Sequence, residues 1–183
     1  MKKVLFTVAL MFGAMVASAQ VSVVKEAKAL KKDPAAAAKV LEAALTNPET
    51  AKDPETWKLA GDLQKAIYDE ENMKMYLPGG QADMPKMYGA MLKMFEYYLK
   101  CDEVEQAGVA NGTVKKAKHR KKNAEVLLNV RGNLANGGVE AFNENKPIIH
   151  NMQIFKNVFL IFLVFLINIP VQKLLYSYHL DNF

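Results

Sequence analysis

Asp-Pro occurs twice in this chain, at Asp33-Pro34 and Asp53-Pro54, each time directly ahead of an amphipathic run. An aspartate at the N-cap accepts an orphan backbone N–H. Proline at the first helical position costs nothing, because its missing N–H would have had no partner. The two pairs fix two helix starts. Asp83 and Pro85 mark a third, so the body of the chain is committed to helices joined by short breaks.

The spacing of apolar residues fills in the rest. Val21 to Lys32 predicts a first helix with Val24, Ala27 and Leu30 inward. In the second, Ala37, Val40, Leu41, Ala44 and Leu45 share one face, the 3.6-residue period of an amphipathic helix, and Asn47-Pro48 ends it. The third carries Trp57, Ala60, Gly61 and Gln64 on one stripe and Leu59, Leu63 and Ile67 on another. Glycine in a helix interior costs about 1 kcal/mol relative to alanine, so Gly61 predicts a close neighbour. After a loop at Pro78-Gly79-Gly80, a fourth helix runs to about Cys101 with Tyr88, Met91, Leu92, Phe95 and Leu99 inward. The stretch EQAGVANGT reads as a break. A fifth helix runs from about Lys116 to Asn143 with Leu127, Leu128, Leu134, Val139 and Phe142 as its apolar residues. No segment reads as a strand.

Both ends differ from this body. Lys2 and Lys3 precede an apolar run to Val16, and Ala17-Ser18-Ala19 is a small-x-small site. This is the pattern of a secretory signal peptide over 1–19, with cleavage between Ala19 and Gln20. From Pro147 the vocabulary changes: no Ala, Gly or Glu follows, but six Ile and five Phe do. Residues 154–171 are a marginal candidate for a transmembrane helix, with Lys156, Asn157, Asn168 and Pro170 inside the window. Residues rich in A/T-rich codons also fit out-of-frame sequence after residue 146. The helical domain is thus expected over 20–146 and a hydrophobic tail over 147–183. The whole chain carries +5, but 20–146 alone carries only +2, which gives no warrant for nucleic-acid binding. Cys101 is the sole cysteine, so an exported form has no intrachain disulfide and rests on packing.

Chemistry-bearing patterns are sparse. Ser22 is the one serine between 20 and 146, and His119 the one histidine there. No zinc spacing and no phosphate-binding glycine loop occurs. Cys101 and His119 show no oriented third partner. The expectation is no enzyme, no metal and no cofactor. The acidic groups Asp69-Glu70-Glu71 and Asp102-Glu103 read as solvated helix ends, and Lys115 to Lys122 as a solvated loop and first turn. Six methionines between Met73 and Met94 read as core filling, and any left exposed would form an adaptable binding patch.

The stretch AAKVLEAALTNPETAKDPETWKLAGDLQ resembles the tetratricopeptide repeat across a repeat boundary. Ala37, Leu41 and Ala44 match the second-helix pattern and Pro48 the proline after it. Trp57, Ala60 and Gly61 match the next first helix, while Gln64 departs from the expected aromatic, and the linker is about three residues long in excess. LANGGVEAFNENK matches a further first helix at Leu134, Gly138 and Phe142, and Pro147 stands where the next tyrosine is expected. The resemblance covers roughly 21–146. It implies an all-α fold of antiparallel helix pairs in a short α-solenoid, truncated after residue 146, and a noncatalytic module binding a protein or peptide partner. First helices line the concave face in that family, which points to Lys58, Asp62 and Lys65 as contacts. With the signal peptide, the expected place is the periplasm or envelope of a Gram-negative bacterium. The alternatives are a component anchored through 154–171, or a nonfunctional fragment of a longer repeat protein.

Overall fold

The computed structural model describes residues 22–143, and its described residues are helical without a strand. Five helices follow one another: α1 (22–29), α2 (Pro34–Thr46), α3 (Pro54–Lys74), α4 (Met84–Ala110) and α5 (Arg120–Asn143). None of them is long and apolar enough to cross a membrane. Ala19, Gln20 and the tail 147–183, with its 154–171 window, lie outside the described residues. Leu134, Gly138 and Phe142 fall within α5, but their side chains are outside the description as well.

The three aspartates begin their helices. Asp33 Oδ1 accepts the Ala36 N–H at 3.0 Å, Asp53 Oδ1 the Glu55 N–H at 3.0 Å and Asp83 Oδ1 the Lys86 N–H at 2.9 Å. The link from α2 to α3 is held from both sides: Thr50 Oγ1 donates to the Ala44 carbonyl at 2.6 Å and Trp57 Nε1 to the Ala51 carbonyl at 2.7 Å. Gly79 turns the chain midway along the α3–α4 link with a φ of 72°, a conformation open to glycine.

Three expectations are corrected. The first helix stops at residue 29, because a Leu30–Asp33 turn redirects the chain into the α2 cap. The EQAGVANGT stretch is not a break over its length: α4 runs on to Ala110, and only Asn111 and Gly112 turn. Gly108 sits inside that helix, where the space of a missing Cβ is filled by the returning Val114 side chain, 2.5 Å from where a Cβ would be. α5 starts at Arg120, four residues later than the spacing implied.

Packing divides at α3. On one side Ala27, Ala37, Leu41 and Ala44 meet Ala60 and Leu63. On the other, Ile67 and Tyr68 meet Met87, Ala90, Met91, Met94, Phe95 and Tyr98, with Leu127 and Val130 of α5. The small residues let backbones approach: Ala37 and Ala44 are fully buried, and Gly61 lies under the Tyr98 ring. Trp57 is half-buried with its ring 6.0 Å from that of Tyr97.

The contacts also set direction. Glu55, at the start of α3, meets Lys118 and His119 just before α5, and Tyr68 and Asn72, near its end, meet Asn133. α5 therefore runs in the same sense as α3. Tyr88 near the start of α4 meets Gly137, and Asp102 near its end meets Arg120, so α4 runs against α5.

Candidate binding surfaces

Lys58, Asp62 and Lys65 form a ridge along α3, one turn apart. Lys58 Nζ lies 2.5 Å from Asp62 Oδ1, and Asp62 also accepts the Tyr98 hydroxyl at 2.7 Å. Lys58 further sits 5.6 Å above the Tyr98 ring, within the range of a cation–π contact. Lys65 is bonded to Asp69. Burial, with the Asp62 carboxylate alongside, pushes the Tyr98 hydroxyl well above its usual range, so it stays a donor. Each charge on the ridge is thus already matched within the chain.

The opposite face of α3 differs. α2 and α4 both lie against α3 and leave an open groove of about 490 Å³ between them. Ala38 and Lys39 stand on one wall, Gly89 and Lys93 on the other, and Gln64 and Ile67 form the floor. Towards Tyr97 it closes to a crevice lined by Leu41, Leu45 and Ala60. Gln64 is only 7% exposed, and its amide makes no hydrogen bond to any described residue. Lys39 and Lys93 are exposed, and neither has an ion-pair partner among the described residues. Lys86, at the groove's end, is tied to Glu71 at 2.7 Å. A second depression, between the α2–α3 link and the end of α4, has its Lys52 bonded to Glu49 at 2.6 Å.

Sequence spacing passed over this groove. Gln64 falls on the Trp57–Ala60–Gly61 stripe, and a polar side chain on an apolar stripe is the signal it offers. Lys39, Gly89 and Lys93 come from two other helices and gave none.

The acidic groups expected to be solvated are not uniformly so. Glu71 is 1% exposed and binds Lys74, Lys86 and the Asp83 N–H, which together hold its carboxyl down to about 2. It ties the end of α3 to the start of α4. Asp102, also 1% exposed, takes a two-pronged bond from Arg120 at 2.8 and 2.7 Å.

The basic run is likewise split. Lys115 and Lys116 are exposed, but Lys118 reaches Glu55 at 2.5 Å and holds that carboxyl below its ordinary value. His119 is buried, its N–H donating to Glu105 Oε2 at 3.0 Å and its Nε2 lying 3.2 Å from Glu55 Oε1. Glu105 Oε1 and both polar atoms of the Asn123 side chain are buried without a hydrogen bond among the described residues. The Cys101 thiol is fully buried and pushed up to about 12, by burial first and then by the Glu105 charge.

Of the six methionines, Met87, Met91 and Met94 are core, whereas Met73 and Met75 are exposed beside Tyr76 and Leu77 in the α3–α4 link. Among the described residues, no group of three or more His, Cys, Asp or Glu side chains is arranged to hold a metal ion.

No protein family, no curated protein and no solved structure matches the chain. The likeness to tetratricopeptide repeats therefore rests on the quoted residues alone.

Proposed function

We propose that this chain is an exported, noncatalytic docking module that holds a protein or peptide segment on its helical body. The observation that carries the reading is the open groove over α3, whose floor presents the Gln64 amide with no hydrogen bond among the described residues. An occupant that covers this amide without pairing it meets a desolvation cost, and one that pairs it avoids that cost, which gives binding specificity. The alternating sense of α3, α4 and α5, with small residues at the contacts, agrees with stacked helix pairs of the tetratricopeptide kind.

Within this reading the α3 ridge of Lys58, Asp62 and Lys65 is the weaker contact surface. A partner would have to displace bonds that these side chains already make. The groove asks for no such exchange.

The test is selection of a random displayed peptide library on the full chain, followed by calorimetry. The expected result is an enriched peptide family that binds saturably, one per chain. Failure of any peptide family to enrich contradicts a peptide-docking role.

A further inference from the structure

We infer that the groove over α3 takes an extended acidic peptide, whose main chain pairs with Gln64 and whose carboxylates pair with Lys39 and Lys93. This rests on the docking role proposed above and adds the chemistry of the occupant.

Three independent features converge. Gln64 carries both a donor and an acceptor on one amide, the complement of a peptide group, and at the floor it faces the groove with neither used among the described residues. A purely apolar occupant would seal that amide away from water unpaired, which is unfavourable. Charge is the second feature. Lys39 on α2 and Lys93 on α4 face the groove from opposite walls without ion-pair partners among the described residues, against Glu42 alone on the acidic side. Lys86 adds positive charge at one end, although Glu71 already neutralises it. The third is shape. Gly89 leaves its wall bare, and a Cβ built there meets nothing within 4 Å. Ala38 and Ala90 keep the remaining lining low. A backbone can therefore approach the floor closely enough to reach the glutamine.

Gly89 also supplies a clean test. A leucine there has open space on its own helix and gains helix propensity over glycine, so the fold is kept while the groove is filled. The probes are fluorescent short peptides of Ala, Val and Asp, with matched peptides carrying Asn or Lys in place of Asp. Binding is read by anisotropy on the full chain, with helicity and melting checked for each variant.

The expected order is Asp over Asn over Lys. Gly89→Leu is expected to abolish Asp-peptide binding, Gln64→Leu to weaken it about tenfold, and Lys39→Glu with Lys93→Glu to reverse the charge preference. Lys116→Ala, exposed and away from the groove, is expected to leave binding unchanged. Equal binding of the three peptides overturns the assignment. So does wild-type affinity in Gly89→Leu, or self-association of the chain lost in Gly89→Leu without any peptide binding, which would give the groove to a second copy. If library-selected peptides bind but these variants leave them unaffected, only the groove assignment falls. If no peptide binds at all, the docking role falls with it.

Discussion

A Cβ carbon placed on Gly61 would overlap the Tyr98 ring. Tyr98 crosses from α4 onto α3 at the one point where α3 offers no side chain, and its hydroxyl then reaches Asp62 one residue further on. The approach of the two helices is set there.

Gly61→Ala is therefore expected to destabilise the domain. Overpacking costs about 1–3 kcal/mol, and the gain in helix propensity returns about 1 kcal/mol, leaving a net loss of up to about 2 kcal/mol. Urea unfolding should show a lower midpoint with an unchanged slope. An unaltered midpoint would mean that the ring is not seated on the glycine.

Glu71 gives a pH dependence with a definite sign. Its carboxyl is held down to about 2 in the fold by Lys74 first, then Lys86 and the Asp83 N–H. A group whose folded value is depressed adds stability above its unfolded value, and loses it as pH falls towards the folded one. The contribution should be complete above about pH 4.5 and decline steadily down to about pH 2. Glu71→Gln should lower stability at pH 7 by about 1–2 kcal/mol, a modest figure because both lysines are partly exposed and regain water. The variant and the parent should converge as melts are repeated towards pH 3. A constant gap across that range would rule out this pairing.

Arg120 carries the start of α5. Removing it leaves Asp102 buried without a counter-charge, which costs about 3 kcal/mol in comparable buried pairs. Arg120→Ala should lower hydrogen-exchange protection in 120–130 well before protection in α3 changes. Arg120→Lys should rescue only part of the loss, because a lysine cannot make both bonds. Equal loss throughout the chain would show that α5 and the rest unfold as one unit.

Cys101 should behave as an inert side chain. A thiol pushed up to about 12 is protonated at neutral pH, and only the thiolate reacts readily. Modification by an aromatic disulfide should follow the rate of global unfolding and become immediate in urea. Fast native-state labelling would contradict the burial.

Much of the fold was legible because its signals are local. An aspartate that caps a helix acts within three residues, so Asp33, Asp53 and Asp83 announced their helices correctly. Helix ends were less legible where the reason is tertiary. Gly108 and the EQAGVANGT stretch look like a breaker until Val114 folds back to fill the space. Glu71 and Asp102 look like surface acids in a sequence, since Lys86 and Arg120, which bind them, come from other helices. The groove is legible only in part for the same reason: Gln64 stands out on its stripe, while its lysine neighbours come from two other helices.

The central claim, that the face of α3 between α2 and α4 holds a partner, is tested most directly by hydrogen exchange on the full chain with and without a saturating selected peptide. Slowed exchange in 35–42, 64–67 and 86–93, with 120–130 unchanged, is the predicted pattern. Protection confined to 73–77, or to the Lys58–Lys65 turns without any change in α2 and the start of α4, would contradict it.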